Sequence, residues 1–355
     1  HMDAIKKVIN QIIDIGSLEN KTTVFLIGNT AKVEDAEFYL SPIRNYNQIV
    51  VAGAIVFGEE VAKKIARMID GLVDYVFVDS EKKIVDKCSV STTPGNIERA
   101  VREIVISSTL ISYKANDLTV DAADSFIVEY FAHDIASIGG KKTAVIGAGN
   151  IGSKIAIKLV ERGSDVSLYR RDIGKLNLAV DYINSTKSQY TIANAIASSS
   201  VSEACRGADI LIGLTNGIPV IDEEIIANCK DNSLIVDIGK GSISKKAVQL
   251  AHSRNIEVYR LSVESALEGM IISLISTHNI FRKQVGRAVF HGVKVVSGGL
   301  MACEDEFVVD NYSNPKIVYG LGNGAGDFQR NPDQKMLDKL KDLENIINKE
   351  NIIKK

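Results

Sequence analysis

Tryptophan is absent from the 355-residue chain, and proline occurs only 5 times, cysteine 4 times and histidine 5 times. Scarce proline excludes a proline-rich linker or recognition tract. Cys88, Cys205, Cys229 and Cys303 stand far apart with no C-x-x-C pair, so neither a zinc site nor a disulfide framework is signalled. They are expected to fill apolar space as reduced thiols. The histidines form no H-E-x-x-H and no i,i+4 pair, so no metal is expected. An excess of either charge is also missing. The 42 Lys+Arg nearly cancel the 44 Asp+Glu, a net charge of −2, which removes the chain-wide basic signal of a nucleic-acid binder. No apolar run approaches the ~20 residues that span a bilayer, and no signal-peptide pattern opens the chain. The expected protein is cytoplasmic and homo-oligomeric, most simply a homodimer, with a small-molecule partner. His1 and Met2 read as an expression scar.

What is present is enough to fold. Hydrophobic residues make up 45% and charged residues 24% of the chain, outside the disordered range. A single core rarely grows past about 250–300 residues, so two domains are expected. Ile5, Val8, Ile9, Ile12 and Ile13 have helical spacing, with Gly16 as the expected stop. Apolar runs at 23–27, 48–52 and 73–78 read as strands, and 33–40, 59–69 and 96–104 as helices. Residues 119–136 read as a connector helix with several apolar faces. A second series follows, with strands at 143–146, 165–169, 210–214, 234–238 and 257–261 and helices at 151–162, 222–227 and 244–253. Short strands at 293–296 and 316–318 and an amphipathic helix at 336–347 close the chain. Regular alternation predicts an α/β protein of two domains, each a mostly parallel sheet flanked by helices. The first is placed at 3–122 plus 301–355, and the second, a Rossmann dinucleotide-binding domain, at 123–300.

The second domain opens with TAVIGAGNIGSKIAIKLVER, an apolar strand running into Gly147, Gly149 and Gly152 and then at once into a helix. In a strand–G-x-G-x-x-G–helix unit the first glycine allows the turn. The second lets the backbone approach a pyrophosphate, and the third lets helix and strand pack closely. The helix N-terminus, with Asn150 and Ile151, offers N–H groups to the phosphates. A glycine-rich structural turn is the bland alternative. The next strand ends Tyr169, Arg170, Arg171, Asp172, where NAD enzymes usually place an acidic residue. Two arginines suit a 2′-phosphate, so NADP is expected over NAD. The alternative is that Asp172 holds the ribose and the arginines are solvated. Two further strand ends, with Thr215 and Asn216 and with Gly239 and Lys240, are expected to frame the nicotinamide.

The segments TVDAADSF, GKKTAVIGAGNIGSKIA, ADILIGLTN and LIVDIGKGSISKKAVQLA make residues 119–262 resemble the cofactor domain of two-domain dehydrogenases. Examples are the D-2-hydroxyacid dehydrogenases and alanine dehydrogenase. Similar strand ends occur in adenosylhomocysteinase and the shikimate dehydrogenase group. The resemblance covers under half the chain and implies an NAD(P)-dependent dehydrogenase, not a substrate. Where hydroxyacid dehydrogenases carry a carboxylate-gripping arginine this chain has Lys240, which keeps the charge but loses the fork. Their acid/base histidine follows T-P-H, matched here only by Ser276, Thr277 and His278, with Glu264 and Glu268 both near. These departures count against hydroxyacid chemistry.

Hydride transfer to C=O or C=N needs a proton donor or a polarising acid. Lys114 with Asp117 or Asp121, just before the connector helix, is the first candidate, since shikimate-type dehydrogenases use a Lys–Asp pair. The alternative is a helix cap beside a solvated lysine. His278 is the second candidate. His133 is expected to pack in the connector helix. Residues 51–54 are expected to end a strand and could offer N–H groups to a substrate carboxylate. The 320–326 glycine run is expected to be a mobile or tightly packed loop. The expected function is NADP-dependent oxidation or reduction of a small polar, carboxylate-bearing metabolite. Two rivals are an NAD(P)H sensor without turnover and a lyase or hydrolase that keeps NAD bound. Substitution of Lys114 and His278 separates the first rival, and cofactor retention through purification identifies the second.

Overall fold

The computed structural model describes residues 2–30, 36–84 and 95–353, which fall into two compact units, 1–270 and 271–355. The first unit begins with α1 (Met2–Glu19), β1 (Thr22–Asn29), β2 (Phe38–Leu40), β3 (Arg44–Asn45), β4 (Ile49–Val56), α2 (Glu59–Ile69), β5 (Tyr75–Asp79), α3 (Ile97–Arg102) and β6 (Thr109–Tyr113). The strands form one sheet in the order β2-β4-β1-β5-β6, with β3 also on β4. β1 pairs in parallel with β4 and β5, and β5 with β6, while β2 and β3 run antiparallel to β4. Seven of the eight residues of β1 are buried. A strand covered on both faces reads as a continuous apolar run rather than an alternation, which is why TTVFLIGN is legible as buried parallel strand. Ile5, Ile9 and Ile12 of α1, Ile65 and Ile69 of α2 and Ile97 and Val101 of α3 fill the same core.

The first unit continues with α4 (Ala115–Tyr130), β7 (Lys142–Ile146), α5 (Asn150–Glu161), β8 (Asp165–Tyr169), α6 (Ile173–Thr186), β9 (Ala195–Ala197) and α7 (Val201–Cys205). Then come β10 (Ile210–Gly213), α8 (Glu223–Ala227), β11 (Leu234–Asp237), α9 (Lys245–Ser253), β12 (Val258–Arg260) and α10 (Glu264–Lys283), which runs on into the second unit. The second sheet is fully parallel in the order β12-β11-β10-β7-β8-β9. Counted from β7 this is the doubly wound 3-2-1-4-5-6 order of dinucleotide-binding folds. Residues of α4, α5 and α6 cover one face, and residues of α7, α8 and α9 the other.

Several local expectations are corrected. Gly16 does not stop α1, because the helix needs a residue without a side chain there: a Cβ would come within 2.5 Å of Thr23. Residues 38–40, expected as helix, form β2, since pairing with the exposed edge of β4 outweighs a spacing that fits either element; 33–35 lie outside the described residues. The connector helix starts earlier and ends at Tyr130, closed by tight bonds from the Phe131 and Ala132 N–H groups to the Glu129 carbonyl. His133 therefore stands past its end, exposed, and Ile135 is fully exposed. Gly53 and Ala54 lie inside β4 rather than at its end, so their backbone groups belong to the ladder. Cys205 and Cys229 are buried, with burial pushing the Cys205 thiol up to about 12, but Cys303 is exposed and Cys88 lies outside the described residues.

The second unit holds β13 (Gly286–Phe290), β14 (Val293–Ser297), β15 (Phe307–Val309), β16 (Val318–Leu321) and α11 (Gln334–Ile353). β13 and β14 form a hairpin whose two turn residues, His291 and Gly292, both have positive φ, the geometry of a two-residue hairpin turn. Leu343 and Ile347 of α11 pack on Val295, Phe307 and Leu321. The 320–326 run is a pinned loop: Asn323 Oδ1 accepts from the N–H groups of Ala325 and Asp327. Among the described residues no helix is long and apolar enough to cross a membrane.

Candidate functional site

The turn from β7 to α5 is made from backbone. Gly147 has φ +112°, and a Cβ there would lie 2.4 Å from the Leu214 carbonyl oxygen, so neither the conformation nor the space admits a side chain. A Cβ on Gly152 would meet the Gly147 carbonyl oxygen at 2.4 Å, which is the close helix–strand packing expected of that position. Gly149 differs: a Cβ there would meet nothing within 4 Å. Gly149 is the N-cap of the 12-residue α5, no side chain caps it, and the first turn carries no acidic residue. The orphan N–H groups of the first turn thus face open space beside a residue with no side chain, which fits a pyrophosphate. Gly147 and Ala148 are held in place by bonds from their N–H groups to the Tyr169 carbonyl, at 2.9 and 3.1 Å.

Beyond β8, Arg170 donates to the Ala148 carbonyl at 3.1 Å, which fixes it beside the glycine turn, and Arg171 is exposed. Asp172 is the N-cap of α6 and accepts from the Lys175 N–H at 3.0 Å. That backbone bond, with Lys175 and Arg170 nearby, holds the Asp172 carboxyl below the usual range. Oδ1 is thereby engaged at the helix N-terminus, while Oδ2 lies 3.7 Å from the exposed Lys175 ammonium.

The two other strand-end loops carry unusual backbone: Asn216 and Lys240 both have φ +54°. Asp237, at 5% exposure, holds the second loop through the N–H groups of Gly241 (2.7 Å) and Ser242 (3.2 Å). Ser242 Oγ then accepts from the Thr215 N–H at 3.0 Å and ties the first loop to the second. Thr215 turns its hydroxyl to the Ile218 carbonyl. Asp237 and Ser242 are positioning residues that the sequence reading overlooked. The signal was there, as the last buried polar residue of a strand facing a G-x-G turn.

These loops open onto a cavity of about 960 Å³ inside the first unit, within the range of small-molecule sites. Gly147, Gly149, Asn150, Ile151, Gly152, Asn216, Gly239 and Lys240 line one side, and residues of β1, β4 and β6 the other. Arg170, Arg171 and Thr215 do not line it. Nor do Lys114, Asp117 and Asp121, although their neighbours Ala115, Asn116 and Thr119 do. Asp117 pairs with Lys114 at 2.7 Å and with Lys154 at 2.5 Å. Asp121 pairs with Lys158 at 3.1 Å, and Asp124 takes a two-pronged bond from Arg162 at 2.7 and 2.8 Å. The result is a charged ladder between α4 and α5. Burial alone would raise the Asp117 carboxyl, but Lys114 and Lys154 hold it low, and Asp117 in turn raises the Lys114 ammonium. His278 lies on α10 in the second unit, half-buried.

The first-sheet wall brings together residues that no motif announced. Asn29 ends β1, Asp79 ends β5 and Tyr113 ends β6. Lys83 Nζ sits 2.8 Å from Asp79 and 2.9 Å from Glu81. Arg44 also lines the cavity and bonds to Glu264 at 2.9 Å and to the Pro42 carbonyl at 3.3 Å. Burial, reinforced by Asp79 and Glu81, pushes the Tyr113 phenol far up, so its proton stays on.

Residues 142–262 match the family model described as the NAD binding domain of 6-phosphogluconate dehydrogenase. A glutamyl-tRNA reductase of Thermosipho melanesiensis is 27% identical over 114 residues, which is 32% of this chain; the chain spans only 29% of that reductase. L-tryptophan dehydrogenase of Nostoc punctiforme is a solved structure with 12% identity and a TM-score of 0.42, covering 74% of this chain and 77% of its own. A dipicolinate synthase structure from Bacillus halodurans has 14% identity and a TM-score of 0.36, covering 72% of this chain and 97% of its own. Residues 142–262 are a Rossmann domain of the kind that binds a nicotinamide dinucleotide.

Proposed function

We propose that the chain is an oxidoreductase that uses NADP in preference to NAD and moves a hydride to or from a C=O or C=N carbon of a small polar, carboxylate-bearing metabolite. The observation that carries the proposal is the cavity itself, lined on one side by the glycine turn and on the other by polar strand ends. The first-turn N–H groups of α5 hold the pyrophosphate, with Gly149 leaving room for it. Arg170 and Arg171 take the 2′-phosphate. Asn216, Gly239 and Lys240, on loops fixed by Asp237 and Ser242, border the nicotinamide end. When bound, the nicotinamide supplies or accepts the hydride. Arg44 is the guanidinium on the substrate wall and suits a carboxylate. Tyr113, which keeps its proton, donates a hydrogen bond to the heteroatom of the reacting carbon. Asp117 and Asp121 are engaged in the ladder and seat α4 against α5 beside the site, and Lys114 pairs with Asp117 at the start of α4.

An NADPH-oxidation screen against 2-oxo acids, with and without ammonia, and against cyclic enones tests the proposal. Turnover with one class that falls with Tyr113→Phe supports it. Saturable NADPH binding with no turnover in any class would overturn it in favour of a sensor.

A further inference from the structure

In the first sheet the parallel strands run β4-β1-β5-β6, so the chain passes from β1 to a neighbour on one side and returns to β5 on the other. A crevice opens where such an order reverses, at the carboxyl ends of the strands, and ligands bind there. Asn29 and Asp79 end the two strands that flank this reversal.

Asn29 is 4% exposed and lines the cavity. Its Nδ2 donates to the Glu81 carbonyl at 2.9 Å, which fixes the orientation of the amide, because a carbonyl can be faced only by the NH₂ end. The other end, Oδ1, is buried and, among the described residues, has no hydrogen-bond partner. A buried acceptor left unpaired is costly, and native proteins rarely keep one without a use. It asks for a donor. Glu81, whose carbonyl the amide holds, belongs to a cluster of two carboxylates, Asp79 and Glu81, and one ammonium, Lys83, in mutual contact, of which Lys83 lines the cavity. The charged side chains of this described cluster sum to −1. The carboxylates also hold the Glu81, Ala115 and Asn116 N–H groups at 3.1, 3.3 and 2.8 Å, so the cluster is built into the ends of β5 and β6 rather than lying loose on the surface.

We propose that this cluster is the subsite for an amino group of the substrate, with Asn29 Oδ1 accepting one N–H and the excess negative charge of Asp79 and Glu81 favouring the ammonium form. The proposal rests on the oxidoreductase reading and narrows its substrate to amine-bearing metabolites. A carboxylate or an alkoxide is refused here, since it would meet an unpaired acceptor and a net negative charge.

The test uses the full chain, first titrated with NADPH and then held saturated with it, so that amines form a dead-end complex. Four matched probes are added and followed by saturation-transfer NMR: 2-aminobutyrate, butylamine, 2-hydroxybutyrate and butyrate. The two amines are expected to bind and the other two to bind far more weakly. Asn29→Leu should weaken the amines about tenfold, the worth of one hydrogen bond to a charged group. Glu81→Gln, of the same shape and one charge less negative, should weaken them too and leaves the Glu81 carbonyl that Asn29 holds in place. If Asn29→Leu fails to fold, Glu81→Gln carries the comparison. Equal binding of amine and hydroxy probes overturns the proposal. So does amine affinity unchanged by Asn29→Leu or by Glu81→Gln, or no amine binding up to about 10 mM in a chain that binds NADPH. A chain that binds no NADPH fails the oxidoreductase reading instead.

Discussion

The two sheets of the first unit make their pockets by the same topological rule from opposite materials. In the β12-β11-β10-β7-β8-β9 sheet the order reverses between β7 and β10, and the crevice is backbone: a glycine turn, a helix N-terminus and no charge in the first turn. In the first sheet it reverses between β1 and β5, and the wall there is side chain: Asn29 and Lys83 line the cavity, and Lys83 is held by Asp79 and Glu81. A cofactor shared by many enzymes can be held by main-chain geometry that every one of them can build. A particular substrate needs particular groups. The comparison predicts that the two crevices separate under mutation, one losing dinucleotide binding and the other not.

Gly147→Ala should have the largest effect. A left-handed conformation imposed on an L residue costs about 1–2 kcal/mol, and forcing a methyl onto the Leu214 carbonyl adds about 1–3 kcal/mol. Urea unfolding should show a loss of about 2–5 kcal/mol, with NADPH binding abolished. Asp79→Asn comes next. Asp79 is fully buried and pairs with Lys83, and breaking a buried pair costs about 3 kcal/mol. Here the same unfolding measurement should fall while NADPH affinity stays within about twofold of wild type. Loss of NADPH binding in Asp79→Asn would break the comparison, because the two crevices would then be one. Arg171→Ala should weaken NADPH about tenfold and leave NADH unchanged, the loss of one charge-assisted contact. Equal loss for both dinucleotides would place Arg171 elsewhere than on a 2′-phosphate.

The smallest effect is expected in the ladder. Asp117 is about two-fifths exposed, so solvent screening keeps Asp117→Asn under about 1 kcal/mol. Lys114 and Lys154 lower its carboxyl in the folded state against the opposing effect of burial. Its contribution is therefore complete above the unfolded carboxylate value of about 4 and is lost as pH falls through the lower folded value. Stability plotted against pH should be flatter below about pH 4 in Asp117→Asn than in wild type.

The Rossmann half was readable in sequence because its parts are local. A strand, three glycines and a helix lie within twenty consecutive residues, and each position has a steric reason that survives without tertiary context. Burial on both faces likewise marked β1, β10 and β11 as unbroken apolar runs. The first-sheet wall of the cavity was not readable. Asn29 and Glu81 are more than fifty residues apart and meet through the β1–β5 pairing. Nothing in KANDLTVD told that Asp117 and Asp121 would turn toward Lys154 and Lys158 on the next helix, although their four-residue spacing on both helices was the trace of it. β2 was missed for a similar reason, since its three residues become a strand only because β4 offers an edge.

The central claim is that a dinucleotide lies on the open backbone at Gly149. Titrating NADPH and NADH into wild type and Gly149→Ala, with an unfolding curve for each, tests it directly. A Cβ at this position meets no protein atom, so the account predicts an unfolding midpoint shifted by no more than about 2 °C. It predicts saturable binding with NADPH tighter than NADH, weakened at least about tenfold for both by the added methyl. Absence of saturable binding in wild type, or equal affinity in Gly149→Ala, would contradict it.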